Sequence, residues 1–106
     1  MSVLKITSEN YEKEVLQAEK PVLIDFFASW CGPCRAMSPI IDEIAEEKSE
    51  EVIVGKINVD DNQDLAMKYG VMSIPTIVIL KGGEVKKTFV GLRDKSELLN
   101  AIQEIC

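Results

Sequence analysis

Cys31 and Cys34 are separated only by Gly32 and Pro33, a spacing at which two thiols can exchange with a disulfide. Side chains three apart on a helix lie about 5–6 Å apart at Cβ, and disulfides form with Cα atoms about 4.4–6.8 Å apart. The pair can therefore close a bond and open it again. A loop this short restricts the unfolded chain by only about 2 kcal/mol, against about 4.7 for a hundred residues, so it would be a poor structural staple. The attacking species in such exchange is a thiolate. Trp30-Cys31-Gly32-Pro33-Cys34 follows the apolar run Val22 to Ala28 and leads into a helical pattern. Cys31 thus precedes or opens a helix, where unpaired N–H groups and the positive end of the dipole favour negative charge. Cys34 lies a turn further in and is expected to be less exposed. Cys31 is the expected nucleophile and Cys34 the resolving thiol, acting through a mixed disulfide with the substrate.

Five further residues bear on that chemistry. Pro33 is tolerated in a first helical turn, where its missing N–H has no partner to lose, and its fixed φ helps hold the sulfurs for ring closure. Gly32 and Pro33 together also fit an ordinary turn. Trp30 could be a core aromatic, but its place beside a reactive sulfur at a helix entrance puts it on the active surface. Asp25 is a carboxylate within an apolar strand, a position usually explained by an ion pair or a strand end. Lys56, also set in an apolar run, is a possible partner. The functional reading is that burial raises the Asp25 pKa, so that it accepts the Cys34 proton directly or through water. Zinc normally takes four Cys or His ligands. With no histidine and only Cys106 besides the pair, no metal is expected.

The elements that must hold these groups alternate between extended and helical periods. Val3-Leu4-Lys5-Ile6 reads as a short strand, and Thr7-Ser8-Glu9 offers capping hydroxyls for a helix with Tyr11, Val15 and Ala18 inward, stopped by Pro21. Val22 to Ala28 reads as a central strand covered on both faces. Met37, Ile41, Ile44 and Ala45 recur at helical spacing, with Pro39 expected to kink their helix. Val52 to Val59 gives another buried strand, and Asn62 to about Tyr69 a short helix. Thr76–Leu80 and Glu84–Val90 form a hairpin through Lys81-Gly82-Gly83. Asp94 with Glu97 looks like a capping box for a last helix buried through Leu98, Leu99, Ile102 and Ile105. The order βαβαβαββα describes one α/β domain over residues 1–106.

Composition narrows the function classes. The chain has 106 residues, 46% of them hydrophobic, and a net charge of −6. That field repels phosphate backbones and anionic lipid, and no basic stripe with interleaved aromatics is present, so no nucleic-acid partner is expected. No apolar run approaches the roughly 20 residues of a membrane span. The acids of 42–51 flank apolar helical positions and read as a solvated face. Three cysteines and no secretory apolar region near the start at Met1 point to a reducing, cytoplasmic setting.

The element order, Trp30-Cys31-Gly32-Pro33-Cys34, Asp25 within the preceding strand, and Ile74-Pro75-Thr76 ahead of a later one together resemble the thioredoxin family over essentially the whole chain. The resemblance implies a central mixed five-stranded sheet with helices on both faces, and a dithiol that reduces disulfides in client proteins. It implies a proton-accepting aspartate at Asp25, often with a lysine near it. It reverses the usual trans expectation for Pro75, which would be cis and face the dithiol, while Ile74 offers backbone groups to an extended substrate. Gly32, Pro33, Ile74, Val90 and Gly91 would form an apolar receiving surface. Gly-Pro between the cysteines is typical of reductants in this family. The redox-active disulfide Cys31–Cys34 would serve without a cofactor, a flavin-containing thioredoxin reductase would supply electrons, and the protein would be a monomer. Phe27 and Ser73 depart from residues frequent in the family without removing a reacting group. Cys106 is expected to be an accessible thiol without an internal partner. The rival class is a redox-independent binding module that uses the same apolar surface.

Overall fold

The structure is a computed structural model that describes residues 3–106. Met1 and Ser2, where the stretch read for an export signal begins, lie outside the described residues. Five strands make one sheet: β1 (Val3–Lys5), β2 (Val22–Phe27), β3 (Ile53–Asn58), β4 (Thr76–Lys81) and β5 (Glu84–Val90). Their spatial order is β1-β3-β2-β4-β5, with β3 parallel to both β1 and β2, and β4 antiparallel to both β2 and β5. The helices are α1 (Gly32–Glu47), α2 (Gln63–Lys68) and α3 (Lys95–Ile105).

Because successive side chains on a strand point to opposite faces, β2 supplies two cores at once. Leu23 packs with Val54, Ile77 and Ile79 beneath Met37, Ile41 and Ile44 of α1 and Leu98 and Ile102 of α3. Val22, Ile24 and Phe26 pack on the other face with Ile57, Leu65, Val78, Tyr11 and Val15. Each large apolar side chain buried this way contributes about 1.5–3 kcal/mol, before the entropy of ordering it is subtracted. The same alternation puts Asp25 on the face of Leu23, under α1. In register, Asp25 stands opposite Lys56 on β3 and Ile77 on β4.

Several local expectations are corrected. The first helix is one turn, Glu12–Leu16, wound with an i→i+5 bond from the Gln17 N–H to the Glu12 carbonyl at 3.0 Å, and it ends well before Pro21. Tyr11 docks edge-on against Tyr69, so this tertiary contact sets the turn's place more than helical periodicity does. The N-cap residue of this helical turn is Tyr11, with no side-chain capping bond, and the Thr7 hydroxyl serves instead in the turn ahead of it: the Asn10 N–H donates to Thr7 Oγ1 at 3.3 Å, and the Thr7 N–H donates to Asn10 Oδ1 at 2.8 Å. Asp94 is the N-cap residue of α3, but its side chain makes no capping bond. Glu97 instead accepts from Arg93 at 3.4 Å, an exposed pair that leaves the capping box open. The inward face of α3 is Leu98, Ala101 and Ile102, with Leu99 and Ile105 only partly buried.

The β4–β5 hairpin turns on Gly82 and Gly83, with φ of 61° and 81°. Two successive positive-φ residues match the twist of the flanking strands and favour glycine. Pro39 lies inside α1 on its exposed side, where it withholds one backbone donor from the helix without ending it.

Candidate active site

The dithiol sits where the central strand passes into the longest helix. Cys31 is the N-cap residue of α1, extended at φ −88° and ψ 115°, and Pro33 falls within the first turn. The Cys34 backbone N–H donates to Cys31 Sγ at 3.2 Å. That sulfur takes the place a Ser or Asp oxygen usually fills at a helix N-cap, and both the donor and the helix dipole favour negative charge on it. The two sulfurs are joined in a disulfide with Cα atoms 5.3 Å apart. Cys31 Sγ also lies 3.9 Å from the Ile74 carbonyl oxygen. The expected difference in exposure is absent: both cysteines are 4% exposed. In the disulfide both sulfurs lie against Ala28, with Phe27, Val59 and Ile74 around them.

Asp25 is completely buried, and neither carboxylate oxygen has a hydrogen-bond partner among the described residues. Burial pushes its pKa up to about 6 from 3.8, against the opposing pull of the Lys56 cation. Lys56 makes no ion pair with Asp25 among the described residues. Its ammonium donates to Ser38 Oγ at 2.6 Å and lies 5.3 Å from the centre of the Phe27 ring. Lys56 therefore acts on Asp25 through space. A cavity of about 130 Å³ is lined by Cys34, Ser38, Lys56, Phe27, Ala28, Ser29 and Arg35. At about 30 Å³ per water, it has room for a few.

The opposite wall comes from the approach to β4. The Ile74–Pro75 peptide is cis. Thr76 Oγ1 donates to the Ser73 carbonyl at 2.6 Å, and the Gly91 N–H donates to the Pro75 carbonyl at 2.8 Å. Gly91 has φ +93°, which favours glycine, and no atom would meet an added Cβ, so backbone conformation rather than space restricts this position. Val90 pairs in register with Thr76 and is half-exposed. Gly32 and Pro33 are exposed at the start of α1. Trp30 is 67% exposed, and its indole N–H donates to Asp60 Oδ2 at 2.9 Å. Trp30, Val59, Val71, Met72, Ser73 and Ile74 line an apolar depression of about 410 Å³ beside the disulfide.

Three residues here were not anticipated. Ser38 could have been found, because it lies one turn beyond Cys34 and so shares its helix face. Asp60 and Met72 carry no spacing signal, since only tertiary structure brings their loops to Trp30 and Ile74. Among the described residues, no three of His, Cys, Asp and Glu are grouped to hold a metal ion. Among the described residues, no helix is long and apolar enough to cross a membrane.

The sequence model of the thioredoxin family matches residues 2–104. A thioredoxin from Rickettsia felis is 48% identical over 99 residues, covering 93% of this chain and 94% of its own. One from Pyropia yezoensis is 47% identical over 104 residues, covering 98% and 97%. One from Alicyclobacillus acidocaldarius is 42% identical over 97 residues, covering 92% and 91%. A dithiol at the N-cap of α1, a mixed sheet built around the strand before it, and similarity over nearly the full length of these relatives lead to one assignment: the chain belongs to the thioredoxin family.

Proposed function

We propose that this thiol-disulfide oxidoreductase reduces disulfides of client proteins with Cys31 as nucleophile, Cys34 as resolving thiol and Asp25 as proton acceptor. The observation that supports the reading best is the Cys31 sulfur at the helix cap, receiving the Cys34 N–H at 3.2 Å and lying 3.9 Å from the Ile74 carbonyl. In the reduced protein, the Cys31 thiolate attacks one sulfur of a client disulfide. A Cys31–client bond forms, the client S–S bond breaks, and the first client thiolate leaves and takes a proton from solvent. Cys34 then gives up its proton, and its thiolate attacks Cys31 Sγ. The second client thiolate leaves, the Cys31–Cys34 bond closes, and two electrons have passed to the client.

Asp25 takes the Cys34 proton directly or through water, and the cavity beside Cys34 has room for water. A carboxyl with a pKa of about 6 suits this work, since it is mostly ionised at neutral pH yet binds a proton readily. The extended client segment lies along Ile74 and Pro75, between Trp30 on one side and Val90 and Gly91 on the other, with Gly32 and Pro33 beneath it. The dithiol is restored by a flavin-containing reductase, and the protein works as a monomer in the cytoplasm without a further cofactor.

Trapping tests the assignment. Cys34→Ser is expected to accumulate Cys31–client disulfides visible on non-reducing gels, and Cys31→Ser is expected to accumulate none. The reverse pattern would exchange the two roles.

A further inference from the structure

Ser38 stands at the junction of two spaces. On one side is the cavity it shares with Cys34 and Lys56. On the other is an open groove of about 470 Å³ bounded by Lys5, Ser38, Asp42, Lys56, Asn58 and Asp61 among others. The Ser38–Lys56 hydrogen bond, at 2.6 Å, lies in the wall common to both. Ser38 is four residues after Cys34 on α1, so the two side chains stack on one helix face. Lys56 stands opposite Asp25 in the β2–β3 register.

We propose that Ser38 is a positioning residue for the resolving step: its hydroxyl anchors the Lys56 ammonium beside the Cys34 cavity and so fixes the cation that acts on Asp25. The inference rests on the reading that Asp25 receives the Cys34 proton. Two carboxylates in the groove, Asp42 on α1 and Asp61 after β3, compete for the same ammonium, while Lys5 on β1 and Arg35 on α1 repel it. Asp25 draws it from β2, and β4 presents only the apolar Ile77 to that carboxylate. Without the hydroxyl, the ammonium turns toward Asp42, Asp61 and water. Asp25 then loses an attraction that favours its charged form, so it becomes a competent base only at higher pH.

The test follows the first-order phase of reduction of a cystine-containing peptide, present at saturating concentration, by Trp30 fluorescence between about pH 5 and pH 9. Ser38→Ala is expected to move the acid limb of the profile upward. It slows the step about two- to fivefold near pH 6, and the difference vanishes above about pH 8.5. Ser38→Thr, which keeps the hydroxyl, restores the profile. Lys56→Met moves the limb in the same direction, and adding Ser38→Ala to Lys56→Met moves it no further, because Ser38 acts only through Lys56. An unmoved or lowered limb in Ser38→Ala, or a shift that persists in the Lys56→Met background, overturns the inference. Asp25→Asn separates the two claims. If the limb disappears in Asp25→Asn but does not move in Ser38→Ala, only the role of Ser38 falls. If the limb survives in Asp25→Asn, the base assignment falls and the role of Ser38 falls with it. Alanine is the better helix former, so the Ser38→Ala chain is expected to fold.

Discussion

Replacing Asp25 with asparagine is expected to stabilise the protein at neutral pH and to do nothing for it in acid. The carboxyl is fully buried, with no hydrogen-bond partner among the described residues, and its pKa rises from 3.8 to about 6 on folding. The native state therefore holds this proton more tightly than the unfolded chain does. Well below pH 3.8 the group is neutral in both states and costs nothing as a charge. As the pH rises through 6, the unfolded chain has already ionised freely, whereas the native protein must place the charge in its core. A rise of about two pKa units corresponds to roughly 3 kcal/mol, fully expressed only above pH 6. The asparagine amide keeps the shape and never ionises, so the stability difference between variant and parent isolates this one titration. Urea unfolding with the disulfide closed, repeated from about pH 3.5 to pH 8, is the assay. The difference is expected to start near zero and climb to about 2–3 kcal/mol in favour of Asp25→Asn. For a domain of about this size, that is a rise in Tm of about 10 °C or more. A difference that is flat with pH, or that shrinks as the pH rises, would refute a buried carboxyl with a raised pKa.

Two further substitutions test the packing and the third cysteine. Gly55→Ala on β3 would set its Cβ against the buried Ile6 side chain, 2.8 Å from Cγ1; a loss of about 1–3 kcal/mol is expected in urea, with part recovered in the Ile6→Val double variant. Cys106 is exposed, with its sulfur 3.8 Å from the Glu51 carbonyl; oxidised parent protein is expected to form disulfide-linked dimers on non-reducing gels, and Cys106→Ser is expected to form none.

What the sequence reveals of this molecule is what local pattern encodes. The non-alternating apolar runs of β2 and β3, the Gly82-Gly83 hairpin and the two-residue spacing of the cysteines each announce themselves over a few residues. Asp25 was also legible, because a carboxylate in such a run needs an explanation. The missed features depend on residues distant in the chain. Lys56 finds Ser38 rather than Asp25 because α1 lies over β3, and no strand pattern encodes that. The Glu12–Leu16 turn follows the docking of Tyr11 on Tyr69, 58 positions away, so helical periodicity alone misplaces it. Glu97 lies at capping-box spacing, yet at the surface the Arg93 guanidinium competes successfully for its carboxylate. The equal burial of the cysteines depends on how Ala28, Val59 and Ile74 pack around them, and Val59 and Ile74 come from parts of the chain distant from the motif.

The strand order has a consequence for folding. To one side of β2 the sheet is parallel, and it closes only after α1 and the intervening chain have been looped back. On the other side β4 and β5 form a hairpin that can assemble from neighbouring residues. The cysteines are delivered by the crossover from the slow half, whereas Ile74, Pro75 and Gly91 are delivered by the hairpin half. The catalytic surface is thus the seam where β2 meets β4, and neither half contains it alone. Recovery of disulfide-reducing activity after denaturation accordingly reports the joining of the two halves, a later event than the appearance of secondary structure in either.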